Sequence, residues 1–279
     1  MKLEIRDISK TFHSKSGALT ALDSINLDVR AGEFVCLLGP SGCGKSTLLN
    51  LIAGLDQPTH GEIRIDGKPV RAPGTDRVMI FQSAALFPWL NVLDNVEFGL
   101  RMAGMRQTER RDIARRFLKM VHLADFERAF AHELSGGMKQ RVALARALVL
   151  NPDVLLMDEP FGALDAQARD LLHDELQNIW SDTHKTVLFV THNVREAIVL
   201  GDRVAVLSAR PACIRQEFTI DLPRPRQIEN YAVVDLSREI MAVLKADVLA
   251  SKRDLLSSEL QRMESLIQAT ARGVGDDVL

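Results

Sequence analysis

Cysteine is scarce in this chain: three among 279 residues, Cys36, Cys43 and Cys213. The odd number and the lack of any metal-ligand spacing exclude a disulfide scaffold and a zinc module, and fit reduced thiols in a cytosolic protein. A surplus of one charge is also missing. Thirty-five Lys and Arg against 37 Asp and Glu leave a formal net charge of −2, so no broad cationic field points to nucleic acid. Long apolar runs are absent too. The stretch from Val142 to Met157 is broken by Arg146, Asn151 and Asp153, too early for a membrane span. Met1-Lys-Leu-Glu-Ile-Arg-Asp7 carries no apolar signal-peptide core, and no internal repeat is visible. Any membrane role would therefore run through a partner. What is present is ordinary for a soluble globular protein: 46% hydrophobic and 26% charged residues. The length suits one large or two small domains with a substantial core.

The most informative stretch is Gly39-Pro40-Ser41-Gly42-Cys43-Gly44-Lys45-Ser46, followed by Thr47. It fits the phosphate-loop pattern G-x-x-x-x-G-K-[ST]. The required context surrounds it. Phe34-Val-Cys-Leu-Leu38 reads as a buried strand and Leu48-Leu-Asn-Leu-Ile52 as the start of a helix. Glycines at 39, 42 and 44 let the backbone wrap closely around a polyphosphate with its N–H groups inward. The helix behind them offers its positive dipole end to the same anion. Lys45 would place its charge on the terminal phosphates, and the Ser46 hydroxyl would be a ligand of Mg²⁺. This loop is expected to bind a nucleotide.

Along the rest of the chain, residues 1–32 alternate as strands around a polar loop, His13-Ser-Lys-Ser-Gly17. Phe12, just before that loop, reads on its own as core. Glu62 to Gly67 predicts a strand ending in an Asp-Gly turn, and Arg77 to Gln82 another short strand. From Asn91 to about Asn151 the period becomes helical, with Ile113, Phe117, Met120 and Val121 on one face. Val154 to Asp158 returns to a continuous apolar strand, as in a parallel sheet covered on both faces. A helix over Asp165 to Trp180, a strand over Thr186 to Val190, a helix over Val194 to Leu200 and a last strand over Arg203 to Leu207 follow. Alternating strands and helices predict an α/β fold with a mainly parallel sheet. Asp221-Leu-Pro-Arg-Pro-Arg226 reads as a linker to a helical tail over Ser237 to Ala271. There Leu256, Leu260, Met263 and Ile267 form one stripe, read as packing on its own domain, since Arg253 and Thr270 interrupt a dimerising heptad. Residues 273–279 are expected to fray.

Two further places suit phosphate chemistry. Asp158 closes a buried strand, where it is placed to hold Mg²⁺, and Glu159 points to the other side of the chain path, able to polarise a water. Ser135-Gly136-Gly137 precede a helix, a second N-terminus suited to phosphate, with Ser135 also a natural N-cap. Two such helix ends in one chain suggest that two copies share each nucleotide.

The phosphate loop, Gln82, Leu134-Ser-Gly-Gly-Met-Lys-Gln140, Met157-Asp-Glu-Pro160, Ala163-Leu-Asp165 and Thr191-His192 occur together and in order. In this the chain resembles the nucleotide-binding subunits of ABC transporters, from about Ile5 to Leu207. The resemblance implies a P-loop NTPase core with a mainly parallel sheet, an N-terminal antiparallel β subdomain and a helical subdomain at about 91–151. It implies an ATPase domain over 1–226, with 227–279 as a tail. It also implies ATP and Mg²⁺ as ligands. Phe12 would stack on adenine, displacing the core reading, and Gly39 to Thr47 would form the Walker A loop. Gln82 would sense Mg²⁺ and γ-phosphate and face the membrane partner. Ser135 to Gly137 would close on the ATP of the opposite subunit. Asp158 would be the Walker B aspartate, Glu159 the catalytic base, Asp165 the aspartate at the dimer seam, and His192 the switch histidine on the γ-phosphate.

Phe81 to Leu90 with its Pro88-Trp89 pair, Asp94-Asn-Val96 with Phe98-Gly-Leu100, Ser208-Ala-Arg-Pro211 and Leu222-Pro-Arg-Pro-Arg226 look like the nitrate/sulfonate/taurine importer ATPases. Asn193, where Asp is frequent, and Ala212-Cys213, where Gly-Arg is usual, depart from that pattern. The likeness implies a homodimer on the cytoplasmic face of the inner membrane. It would be peripheral, bound to integral membrane permease subunits and served indirectly by an extracytoplasmic solute-binding protein, with no nucleic acid. A soluble ABC ATPase acting on nucleic acid or ribosomes is the rival class, and an exporter ATPase a nearer one. The cargo stays open among nitrate, alkanesulfonates, taurine, bicarbonate and vitamin-precursor-like molecules. Cys43, inside the loop, suggests sensitivity to alkylation, with protection by ATP.

Overall fold

A computed structural model describes residues 1–15, 17–247, 249 and 250. Two sheets form the frame. β1 (Leu3–Ser14), β2 (Gly17–Val29), β4 (His60–Ile65) and β5 (Lys68–Pro69) make an antiparallel sheet in the order β2-β1-β4-β5. The second sheet is built from β3 (Phe34–Leu38), β6 (Arg77–Ile80), β7 (Val154–Asp158), β8 (Thr186–Thr191), β9 (Arg203–Leu207) and β10 (Ile214–Thr219), in the order β10-β9-β3-β8-β7-β6. All of its pairings are parallel except β9 with β10.

β3 shows why the sheet lies where it does. All five of its side chains are fully buried, so it is flanked by strands at both edges and covered on both faces. With a period of two, Phe34, Cys36 and Leu38 enter one hydrophobic core and Val35 and Leu37 the other. The first core is filled by α2 (Val92–Met102), α3 (Gln107–Met120), α4 (Gly136–Leu148), α5 (Ala166–Thr183) and α6 (Val194–Leu200). The second is filled by α1 (Lys45–Ala53) and the antiparallel sheet. Because the strands run parallel, the segments leaving β3, β6, β7, β8 and β9 all emerge at the same edge, and the conserved logic of such sheets places ligands there.

The N-caps behave as their residue types dictate. Asn91 Oδ1 accepts from Asp94 N at the start of α2, and Asp165 Oδ1 accepts from Ala168 N at the start of α5, each at 2.8 Å. At the Asp66-Gly67 turn both residues have positive φ, 48° and 72°, as a two-residue hairpin requires.

Three features depart from the sequence reading. β9 is not the last strand, because β10 pairs antiparallel to it; its exposed Arg215, Gln216 and Glu217 belong to an edge strand. The helix after β10, α7 (described over residues 231–247), begins at residue 231 rather than 237, started by Asn230, whose Oδ1 accepts from Ala232 N at 3.0 Å. The Pro/Arg stretch before it is not a free linker. Arg226 is buried, and its guanidinium donates to the carbonyls of Ile198, Gly201, Ile220 and Leu222. Burial, with the neighbouring Arg224 charge adding to it, pushes its pKa down to about 10. The stripe at Leu256, Leu260, Met263 and Ile267, its interruptions at Arg253 and Thr270, and the fraying of 273–279 lie outside the described residues.

Replacing Arg226 by Ala would strand those four carbonyls, two or more of them away from water. The variant is expected to lose about 3 kcal/mol of unfolding free energy. Urea denaturation followed by circular dichroism checks this; a loss under about 0.5 kcal/mol, as for an ordinary surface site, would contradict the anchoring role.

Candidate functional site

The phosphate loop leaves β3 and turns into α1 at Gly44, whose φ of 132° only glycine adopts readily. A Cβ there would stand 2.8 Å from the Leu22 side chain and 2.9 Å from the Ala21 carbonyl, so the loop lies flush against β2. Lys45 opens the helix and is buried, its ammonium donating to the carbonyls of Gly39 and Pro40 at 2.9 Å each. Ser46 Oγ donates to Asp158 Oδ1 at 3.0 Å. Ser41, Gly42, Gly44, Lys45, Ser46 and Thr47 line a cleft of about 290 Å³ together with Gln82, Asp158, Glu159 and Arg210.

The two carboxylates do not diverge as expected. Glu159 has φ 44°, a left-handed backbone that offsets the strand alternation and turns its side chain back toward the loop. Its Oε1 lies 3.8 Å from Lys45 Nζ, and its Oε2 lies 3.0 Å from His192 Nδ1. Asp158 and Glu159 thus face one cleft. Burial raises the Asp158 pKa above its ordinary value, and the neighbouring Glu159 charge adds to it, while the Ser46 hydrogen bond and Lys45 oppose.

His192 follows β8 and lines a small adjoining cleft with Glu159, Phe161, Arg169 and Glu196. The strand end beneath it is fixed by buried groups. Thr191 Oγ1 donates to Glu196 Oε2, Asn193 N donates to Thr191 Oγ1 at 2.9 Å, and His173 Nε2 of α5 meets Glu196 Oε1 at 2.8 Å. Asn193, a departure from the importer pattern, caps α6 by accepting from Arg195 N and Glu196 N.

Not every expected residue reaches this cleft within one chain. Phe12 is half-exposed on the β1–β2 hairpin, with Lys10 Nζ 5.0 Å from its ring centroid. Ser135 caps α4 by accepting from Met138 N at 3.3 Å, and Gly136 and Gly137 form the first turn of that helix. Asp165 caps α5. None of these lines the Lys45 cleft. The sequence reading quoted Arg210 and Gln140 within motifs but gave neither a place at the site: the Arg210 guanidinium donates to the Gly42 carbonyl, and Gln140 holds the Gln82 carbonyl at 2.9 Å. Arg210 stands three residues past the end of the parallel strand β9, in the turn at the ligand-binding edge, and that was the signal available.

Among the described residues no group of three or more His, Cys, Asp or Glu is arranged to hold a metal, and no helix is long and apolar enough to cross a membrane.

Comparison with known proteins settles the family. The model of the ABC transporter family matches residues 22–162. The chain belongs to that family. It is 51% identical over 239 residues to the nitrate import ATP-binding protein NrtD of Synechocystis, covering 86% of this chain and 90% of that one. To the taurine import ATP-binding protein TauB of Burkholderia thailandensis it is 49% identical over 239 residues, with the same coverage. A dimeric structure of the ABC transporter cassette MJ0796 superposes with a TM-score of 0.71 at 35% identity, covering 79% of this chain and all of that one. This ABC cassette therefore has the expected α/β architecture, antiparallel sheet and helices included.

The expected reactivity of Cys43 is contradicted. Its side chain is 2% exposed, sunk beneath the loop in the second core, and burial pushes its thiol pKa up. Since the thiolate is the nucleophile, alkylation of the native protein is expected to label the half-buried Cys213 and to spare Cys36 and Cys43 until denaturant is added, with or without ATP. Peptide mapping by mass spectrometry checks it; native labelling at Cys43 would contradict the burial.

Proposed function

We propose that this chain is the ATP-binding and ATP-hydrolysing subunit of an importer for a small anionic solute of the nitrate, sulfonate or taurine kind. The observation that carries this reading is the meeting of Lys45, Ser46, Asp158, Glu159 and His192 at one sheet edge, from three separate segments. Residues 1–226 act as the cassette and 227–279 as an appended tail.

In this reading the loop from Gly39 to Thr47 wraps the polyphosphate, Pro40 setting the turn without a donor of its own and the backbone N–H groups of Ser41, Gly42, Cys43 and Gly44 facing inward, and Lys45 pairs with the terminal charge. Phe12 stacks on the base. Ser46 and Asp158 offer adjacent hard oxygens, and the desolvated Asp158 carboxylate gains from a cation beside it. These residues, with Gln82, fit Mg²⁺, which would neutralise charge developing on the phosphates. Glu159, held by His192, orients a water and takes its proton as the oxygen bonds to the γ-phosphorus and the bond to the β-phosphate oxygen breaks. Ser135 to Gly137 of a second copy donate to the same nucleotide across the dimer seam, beside Asp165. Binding favours the closed pair and loss of the γ-phosphate releases it.

The permease contact we propose is the apolar groove beside Gln82, about 330 Å³, lined by Phe81, Ala84, Phe87, Phe98, Ala143 and Leu150 among others. The strongly exposed Trp89 on the same loop, 5.6 Å from the Phe87 ring, supports a covered surface there. The subunit would sit peripherally on the cytoplasmic face of the membrane, and the solute-binding protein would act on the far side.

Glu159→Gln is expected to lower turnover by about 100-fold or more while ATP binding persists; near wild-type hydrolysis removes Glu159 from its role. Lys45→Ala is expected to weaken ATP binding about tenfold or more, read by equilibrium titration, and unchanged affinity contradicts the loop assignment. Tagged Glu159→Gln protein, drawn from gently solubilised membranes with ATP and Mg²⁺, is expected to bring a multi-span permease identifiable by mass spectrometry. Recovery of soluble or ribosomal partners alone overturns the importer reading.

A further inference from the structure

The turn after β9 joins two parts of the molecule that otherwise stand apart. On one side Arg210 Nη2 donates to the Gly42 carbonyl, and the guanidinium lines the same cleft as Lys45 and Ser46. On the other side the turn is held by α7. Asp247, buried on that helix, accepts from the backbone N–H of Ala209 and from Arg215 Nε, both at 2.7 Å. The turn itself is tightly stitched. Ser208 Oγ donates to the Pro211 carbonyl at 3.0 Å and accepts from Cys213 N at 2.9 Å, while Ala212 exchanges backbone hydrogen bonds with Ala21 and Asp23. Ala21 is the residue against which Gly44 packs.

An exposed arginine ordinarily spreads its charge into solvent. This one is fixed by its backbone on one side and by a phosphate-loop carbonyl on the other. The guanidinium carries five N–H donors in a planar fork, and a single bond to Gly42 leaves donors for a further acceptor. Such a fork matches phosphate oxygens better than an ammonium does, and its fixed turn reduces the ordering cost of using it. Gly44 and Lys45 line the same cleft.

We propose that Arg210 is an additional nucleotide-binding residue, donating to the polyphosphate of a nucleoside triphosphate seated in the loop. Asp247 of α7 is its positioning residue, which links that helix to the binding site. The inference rests on the ATP reading above and adds to it a second cation and a route from the tail to the site.

The test uses the full-length protein. Dissociation constants for ATP are measured by displacement of a fluorescent ATP analogue from wild type, Arg210→Ala, Arg210→Lys, Asp247→Ala and the double variant, at several salt concentrations. Arg210→Ala is expected to weaken ATP about tenfold, the size of one charge-assisted hydrogen bond, with a shallower salt dependence and unchanged thermal unfolding, because the side chain is exposed. Arg210→Lys is expected to recover part of the affinity and of the salt dependence. Asp247→Ala is expected to weaken ATP to a smaller degree, and the double variant to bind no more weakly than Arg210→Ala alone, since both losses run through one contact. Wild-type affinity in Arg210→Ala, or an Asp247→Ala loss that adds fully to it, overturns the proposal. Failure of the wild-type protein to bind ATP would instead overturn the underlying ATP reading.

Discussion

A hydrogen bond between Ser46 and Asp158 spans 112 positions of sequence, and nearly everything else in the fold serves to make it possible. Ser46 stands one residue into α1, so it depends on the loop from β3. Asp158 ends β7, which does not touch β3; β8 lies between them and pairs in parallel register with both. Leu38 aligns with Thr191, and Asp158 with Val190, so the three strands end nearly level. Level ends bring a hydroxyl, two carboxylates, an ammonium and an imidazole within reach of one another without a dedicated scaffold of side chains.

That levelness rests on the core. β3, β7 and β8 send alternate residues into two cores, one roofed by α1 and the antiparallel sheet, the other by the remaining helices. A strand in this position has no solvated face on which to slip, since a shift of one residue would exchange its two buried sets. Register is thereby imposed twice, once from each side. The polar site sits just beyond the last apolar layer, where Lys45 and Asp158 lose water yet find partners in Gly39, Pro40 and Ser46.

What the sequence made legible follows from the same physics. β3, β7 and β8 are continuous apolar runs because parallel strands are covered on both faces, and such runs stand out against amphipathic helices. β10 did not stand out, because an edge strand with Arg215, Gln216 and Glu217 exposed has the composition of a loop. The motif residues were readable as types in order. Their side-chain directions were not: the left-handed backbone at Glu159 depends on the turn into Gly162, whose N–H donates to the Glu159 carbonyl, and on Glu159 N donating to Val190. Arg226 looked like part of a linker because two of its four carbonyl partners, Ile198 and Gly201, lie in a segment brought near only by folding. Arg210 escaped for the same reason, its partner Gly42 being 168 positions away.

α5 has a mechanical character of its own. Its first residues hang from Asp165, and two turns later His173 presses through Glu196 on the strand end that carries His192. A helix of that length is stiff on the scale of a few ångströms, so it behaves as a rod rather than a spring. The backbone of α5 thus acts as a ruler, setting the distance between the turn at Asp165 and the turn that carries His192.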